Sequence, residues 1–143
     1  MISEKLSAKL RERKMQLALR EMEGISSAIV ANIGSEDFSF QNSAIKDKCG
    51  IDAQAFTRWN LKTSDQDLIS YLSERILRYG RTFFLPFEQP YVIKVTISDF
   101  EKFVTSVWRL SGTRDITLYA TDPSAVFDLQ DLEHDLAYFE ILK

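Results

Sequence analysis

The chain has few of the residues that carry chemistry, and each shortage excludes a class of function. Its 143 residues include one cysteine, Cys49, and one histidine, His134. A single cysteine cannot form an internal disulfide, and a zinc site needs several Cys or His ligands. The five glycines are scattered, and the absence of a G-x-G-x-x-G segment or a P-loop excludes phosphate binding by a glycine-rich loop. No segment approaches the roughly 20 apolar residues that a membrane span needs.

The opening segment and the charge balance predict a cytoplasmic protein. The sequence MISEKLSAKLRERK is polar and contains no apolar run of signal-peptide length. A lone cysteine also suits a reducing compartment. The net charge of −3 gives the chain as a whole no attraction to nucleic acid or to an anionic membrane. We therefore expect neither membrane association nor a cofactor.

The composition is that of a folded domain. Apolar residues make up 45% of the chain and aromatic residues 12%, which is enough to bury a core without disulfides or metals. The length fits one domain, so we predict a single domain over residues 1–143.

Hydrophobic periodicity predicts helices in the N-terminal and central parts of the chain. After Gly24, the residues Ile25, Ile29 and Ile33 continue at helical spacing up to Gly34, so this part is predicted to be either one long bent helix or two. The strongest pattern comes later in the chain, where Ser98 and Glu101 predict a capping box. The predicted helices cover residues 3–23, 25–34, 64–79 and 98–111.

Alternating apolar residues predict strands, most of them near the C-terminus. Asp122-Pro123 marks a turn between two of them. A short edge strand is expected at 36–42, and the rest of 35–62 is predicted to be irregular with one short helix. These patterns together predict an α+β fold, with N-terminal helices and a central helix packed on a mostly antiparallel sheet that ends in a three-stranded meander. The other predicted strands cover residues 91–96, 115–121, 124–129 and 136–142.

Charge is distributed unevenly along the chain. Residues 1–20 contain six basic and two acidic residues, a net charge of +4. Residues 115–143 contain one basic and seven acidic residues, a net charge of −6. The C-terminal part is therefore the candidate for a face that binds a basic partner.

The segment DLQDLEHD concentrates this negative charge. Its carboxylates are Asp128, Asp131, Glu133 and Asp135, and the single histidine lies among them. The spacing is not that of an EF-hand and no glycine allows the sharp turn, so we predict no metal site. Acid/base catalysis would need a cleft that perturbs one carboxylate, whereas side chains at a hairpin tip are usually solvated. The segment is expected to form such a tip, which leaves a protein-binding face or a solvated turn.

Cys49 is the one candidate nucleophile. Lys46 and Lys48 lie close in sequence and would lower the pKa of the thiol, and His134 would have to act as the base. The surrounding KDKCGID matches no nucleophile signature, and an incidental cysteine is the favoured interpretation. We predict that the protein is not an enzyme.

Basic nuclease active sites are natural partners for such an acidic face. They must hold phosphates, and carboxylates can take the place of phosphate oxygens. Complementary charge also speeds association and suppresses wrong partners. Trp59, beside Arg58, is either a core residue or an anchor of the interface. The predicted toxin-binding residues are Asp115, Asp128, Asp131, Glu133, Asp135 and Trp59.

The alternative is a nucleic-acid-binding or regulatory adaptor that acts through the first helix. The basic segment KLSAKLRERK could contact phosphates. Long Lys and Arg side chains on a helix face more often keep a protein soluble, and the net negative charge opposes nucleic-acid binding.

A resemblance supports the first interpretation. Residues 97–143 contain a helix ending in Trp108-Arg109, then SGTRD, then a meander with an acidic segment. This third of the chain resembles small acidic immunity proteins encoded beside bacterial polymorphic toxins, including those of contact-dependent growth inhibition. The resemblance implies a cytoplasmic protein that binds one cognate toxin domain and blocks it stoichiometrically. It supplies no residue to align, and the basic first helix departs from a uniformly acidic inhibitor.

Overall fold

The structure is a computed structural model that describes residues 3–32, 38–50, 53–87 and 91–143. Within these ranges the chain forms four α-helices and seven β-strands. In chain order they are α1 (Glu4–Glu21), β1 (Ile25–Asn32), α2 (Ser39–Lys48), β2 (Thr57–Asn60), α3 (Asp65–Ile76), β3 (Thr82–Pro86), β4 (Tyr91–Ile97), α4 (Phe100–Ser111), β5 (Ile116–Thr121), β6 (Ser124–Asp131) and β7 (Asp135–Leu142).

The described strands form one antiparallel sheet in the order β1-β4-β3-β5-β6-β7-β2. Strands β5, β6 and β7 are neighbours, as expected for the predicted meander. The predicted α+β class, with helices on a mostly antiparallel sheet, is confirmed. Strands β1 and β2, which sequence periodicity did not predict, are the two edges of the sheet.

Helices cover both faces of this sheet. On one face α1, α3 and α4 enclose the larger core, to which the inward side chains of β3 to β7 contribute. On the other face α2 covers a smaller cluster, in which Phe38 and Ala44 contact Val92, Tyr119 and Val126. The central strands are therefore buried on both sides. The larger core is centred on side chains that are less than 2% exposed, including Leu68, Leu72, Ile76, Phe83, Ile93, Phe103, Leu118, Phe127, Leu129, Leu136 and Tyr138.

The predicted helix at 25–34 is wrong over the part that the structure describes. Residues 25–32 are strand β1, paired with β4 from Ile25↔Ile97 to Asn32↔Tyr91. Ile25 and Ile29 fit the spacing of a helix face, but in the strand a register shift between Ile25 and Ser27 places Ile25 against the larger core and Ile29, opposite Lys94, on the other face. Pairing with β4 decides between helix and strand. Ile33 and Gly34 lie outside the described residues.

The predicted edge strand at 36–42 is also wrong where it can be compared. Ser39 to Asn42 belong to helix α2, while residues 36 and 37 are not described. The N-cap of α2, Phe38, provides no side-chain hydrogen bond. The buried positions of α2 include a polar residue, Gln41, whose Nε2 donates to the carbonyl of Ala120 at 2.7 Å. Without a polar cap or an apolar stripe, α2 carries little of the helix signal in its sequence.

Gly24 fixes the connection between α1 and β1 against the start of α4. It has a φ of 71°, and its carbonyl accepts hydrogen bonds from the backbone N–H groups of Ser98 at 2.8 Å and Asp99 at 3.0 Å. A Cβ at this position would overlap the Asp99 carbonyl and lie 2.6 Å from the backbone nitrogen of Phe103. Asp99, and not the predicted Ser98, caps α4, and its carboxylate accepts from the N–H of Lys102 at 3.1 Å.

Candidate functional site at the acidic end of the sheet

The acidic segment DLQDLEHD is only partly a hairpin tip. Its first four residues, Asp128 to Asp131, complete strand β6, and Asp135 begins β7. The turn itself consists of residues 132–134 and is closed by a hydrogen bond from the Leu132 N–H to the Asp135 carbonyl at 2.9 Å. The carboxylates therefore occupy different environments, and their exposure must be considered residue by residue.

Asp115 and Asp131 are held by hydrogen bonds beside this turn. The carboxylate of Asp131 accepts from the backbone N–H of Arg114 at 3.0 Å. The backbone N–H of Asp131 in turn donates to Asp115 Oδ1 at 2.7 Å, while Thr113 Oγ1 donates to Asp115 Oδ2 at 2.8 Å. These bonds fix the positions of both carboxylates.

Arg114 connects the segment 61–65, which follows β2, to this end of the sheet. Its guanidinium donates to the carbonyls of Leu61 at 2.7 Å and Thr63 at 2.9 Å. It also lies 3.6 Å from Asp65 Oδ1 and 4.0 Å from Asp131 Oδ2. Asp65, whose side chain is 67% exposed, thus joins carboxylates that are 50 or more positions away in the chain.

The sequence prediction missed Asp65. In the sequence it is the first residue of a capped helix, and nothing there links it to residues 113–135. The link comes from β2, which pairs with β7 so that Asn60 lies opposite Asp135. The loop that follows β2 therefore runs beside the β6–β7 turn.

The remaining acidic residues of the turn are more exposed than Asp131. Asp135 forms an ion pair with Arg58, at 2.9 Å between Oδ2 and Nη1, and both side chains are partly exposed. Glu133 and His134 are each 88% exposed, with 3.9 Å between Glu133 Oε2 and His134 Nε2. The Glu133 side chain is therefore almost fully accessible to solvent.

Asp128 is not part of this exposed end. Its side chain is buried under α2, on the face of β6 that also carries Val126. The carboxylate accepts from Thr117 Oγ1 at 2.7 Å and Gln130 Nε2 at 2.8 Å. Burial raises the pKa of Asp128 despite these hydrogen bonds. The expectation that all of these carboxylates are solvated is wrong for Asp128, because α2 covers this face.

Cys49 lies at the C-terminal end of α2 in the same buried region. Burial, reinforced by the negative charge of Asp128, raises the pKa of the thiol to about 12. The expectation that Lys46 and Lys48 lower this pKa is wrong. A reactive cysteine needs the opposite shift, so the environment of Cys49 favours an unreactive thiol.

Trp59 is neither fully buried nor fully exposed. It lies in β2 and is half-buried, with its ring centroid 5.0 Å from that of Tyr71 and 6.3 Å from that of Tyr138. Its neighbour Arg58 points to the other face of the sheet, since adjacent residues of a strand alternate. The indole packs against the core, and its role as an interface anchor stays a prediction.

The described part of the chain shows neither a metal site nor a membrane-spanning helix. Among the described side chains, no group of three or more His, Cys, Asp or Glu residues could hold a metal ion. None of the helices in the described ranges combines the length and the apolar character needed to cross a membrane. Comparisons with protein-family models, curated proteins and solved structures found no match for this chain.

Proposed function

We propose that this protein binds a cognate bacterial toxin domain, a nuclease, and neutralises it by stoichiometric inhibition, as an immunity protein does. The proposed binding surface, which we call the acidic end, consists of Asp65, Asp115, Asp131, Glu133 and Asp135. The observation that carries the proposal is the convergence of these carboxylates from three separate segments of the chain, which Arg114 and backbone hydrogen bonds hold together. Asp128 drops out of the surface because it is buried, and Asp65 replaces it.

The charge of the acidic end favours a basic partner. Loops 61–65, 113–115 and 131–135 contain five carboxylates and two cations, a net charge of −3. Arg58, which pairs with Asp135, reduces this to −2. A nuclease active site is basic because it must hold phosphates, so it complements this surface in sign. Such complementarity raises the association rate more than it raises the affinity itself.

The acidic end is also rigidly built. Backbone N–H groups orient Asp115 and Asp131, and the Arg114 guanidinium is held by main-chain carbonyls. An ionised carboxylate has about four lone-pair sites, so these carboxylates can accept further hydrogen bonds from a partner. Groups that are already ordered lose less conformational entropy on binding, which favours affinity.

The first experiment is to identify the protein encoded immediately upstream of this chain and to express its C-terminal domain, as the candidate toxin, with and without this protein. Cells that produce both proteins are expected to survive. Death at the same rate with and without this protein would contradict the proposal.

A second experiment locates the surface by charge reversal. Asp65→Lys with Glu133→Lys changes two largely exposed carboxylates, at 67% and 88% exposure, and gives up only the exposed contact between Asp65 and Arg114; thermal unfolding verifies that the fold is kept. We expect the association rate with the toxin domain to fall about tenfold or more at low salt, and the difference to shrink as salt is added. The control, Glu74→Lys with Glu101→Lys, makes the same change in charge on α3 and α4. An equal loss in both variants would refute the assignment of the acidic end.

A second candidate function rests on α1. Its buried residues are Met15 and Ala18, whereas Leu6, Leu10 and Leu17 are between 45% and 50% exposed. At about 100° per residue these leucines form a stripe well away from the buried side, among Lys and Arg residues. This arrangement favours an adaptor that docks α1 on an acidic protein or a nucleic acid.

The candidate function of α1 is tested by salt dependence. Binding of an oligonucleotide should weaken steeply as salt rises, and Lys9→Ala with Arg13→Ala should reduce it. Binding that neither the substitutions nor salt affect would contradict this candidate.

A further inference from the structure

Strand β1 is an edge strand whose register shift lies at its start, between Ile25 and Ser27, so that residues 27–32 pair regularly with β4. Its eight residues, ISSAIVAN, include no charge and no proline. Among the described strands it pairs with β4 alone, so the main-chain groups of its outer side have no strand partner there. Proteins commonly protect such edges with charged residues, proline or very short strands. The opposite edge, β2, has four residues and carries Arg58 in an ion pair.

Apolar side chains are exposed on both faces of β1. Ile29 is 60% exposed on the face of the sheet covered elsewhere by α2, where it lies beside Lys94 of β4. Val30, on the other face, is 37% exposed. The inner positions contact the two cores, Ala28 on one face and Ala31 on the other. The outer edge thus combines open hydrogen-bonding groups with apolar side chains.

We propose that β1 pairs with β1 of a second copy of this chain, in antiparallel orientation about a twofold axis at Ile29. The sheets of two molecules then join into one continuous sheet. Opposite residues of an antiparallel pair lie on the same face, so this register places Ile29 against Ile29, Ala28 against Val30, and Ser27 against Ala31. Both exposed apolar residues of β1 are covered by this arrangement.

The composition of β1 favours its own copy over an unrelated strand. A twofold contact requires one surface to complement itself, and uncharged small and branched residues do so without repulsion. No charge along the strand selects a different partner, since charged residues usually provide that discrimination. The acidic end lies on the other half of the sheet, beyond β5, and stays accessible in the dimer. The dimer does not depend on the proposed toxin binding.

The test is the molecular mass in solution, measured by sedimentation velocity over a wide range of protein concentration. We expect the wild-type protein to change from monomer to dimer as concentration rises. Ile29→Lys should weaken dimerisation at least about tenfold, because it places like charges opposite each other. Leu142→Lys is the control, since it makes the same type of change at a residue that is 52% exposed at the end of β7.

A charge-swap experiment tests the register. Ile29→Glu alone should weaken dimerisation as Ile29→Lys does. An equal mixture of the Ile29→Lys and Ile29→Glu proteins should dimerise more strongly than either alone, because Lys and Glu then face each other. Circular dichroism and thermal unfolding of each variant verify the fold. A wild-type protein that is monomeric at every concentration would overturn the proposal. So would a dimer that survives Ile29→Lys, or a mixture that stays monomeric.

Discussion

Arg114 is the residue on which the geometry of the acidic end depends. Replacing it by methionine keeps most of the aliphatic stem and removes the guanidinium. The substitution eliminates the hydrogen bonds to the carbonyls of Leu61 and Thr63 and the contacts with Asp65 and Asp131. The backbone N–H of residue 114 can still donate to Asp131, so the change separates the side chain from the main chain.

The expected loss of stability follows from these contacts. Hydrogen bonds from a charged donor contribute about 1.5–3 kcal/mol each. The Arg114 side chain is 20% exposed, so water can reach part of the site and rebind the carbonyls, which favours the lower end of that range. The pair with Asp65 adds at most about 1 kcal/mol because that carboxylate is mostly exposed. We expect Arg114→Met to lower the free energy of unfolding by about 2–4 kcal/mol.

Urea denaturation of the purified protein measures this loss. The matched control is Arg109→Met, which removes an ion pair with Glu23 whose side chains are 54% and 57% exposed. The control should cost no more than about 1 kcal/mol, as is usual for a surface pair. Equal losses in the two variants would refute the view that Arg114 organises the acidic end. A loss confined to Arg114→Met should also be accompanied by faster dissociation from the toxin domain.

Three further predictions concern Gly24, Asp128 and Cys49. Gly24→Ala should lower the free energy of unfolding by about 3 kcal/mol through left-handed strain and overlap with α4, whereas Gly50→Ala, with open space around it, should change it little; equal losses would contradict this explanation. Burial raises the pKa of Asp128 in the folded protein above its value in the unfolded chain, so the stability that Asp128 contributes is lost as pH rises from the lower pKa to the higher. The free energy of unfolding of Asp128→Asn should therefore increase relative to that of the wild type in urea titrations from pH 4 to pH 7. A difference that does not change with pH would contradict this prediction. Alkylation of Cys49 by iodoacetamide should stay slow at pH 8 and still accelerate above pH 10, since its pKa is about 12, whereas the urea-unfolded protein should react as an ordinary thiol; a plateau near pH 9 in the folded protein would disprove the shift.

Local patterns predict those elements whose burial is one-sided and regular. In α4, Phe100, Phe103 and Val104 repeat at helical spacing and are all buried, as the periodicity indicates. The meander is predicted by alternation in β5 and by the turn at Asp122-Pro123. Strand β1 escapes prediction because Ile25 and Ile29 are spaced as on a helix, whereas pairing with the distant strand β4 and a register shift after Ile25 place them on opposite faces of the sheet.

Helix α2 shows how one missed element affects the site. Its buried Gln41 and its uncapped start give the sequence no clear helical pattern. Because the one short helix expected in 35–62 has no assigned position, the second face of β6 is expected to be solvated, and Asp128 is assigned to the surface. The same omission places Cys49 among the neighbouring lysines, although it is half-buried and close enough to Asp128 for that carboxylate to raise the pKa of the thiol. Two errors about chemistry therefore follow from one error about a helix.

Only part of the negative charge of the C-terminal residues 115–143 is available at the surface. Of their seven carboxylates, Glu140 is 3% exposed and pairs with Arg75, and Asp128 is buried. Neither can attract a partner at the surface, so the sequence count of −6 overstates the available charge. Asp65, outside these residues, adds a carboxylate that the count omits. A basic partner is therefore supported by the carboxylates that three segments of the chain place together at the acidic end. Asp65 and Glu133 are the most suitable of these for charge reversal, because both side chains are largely exposed.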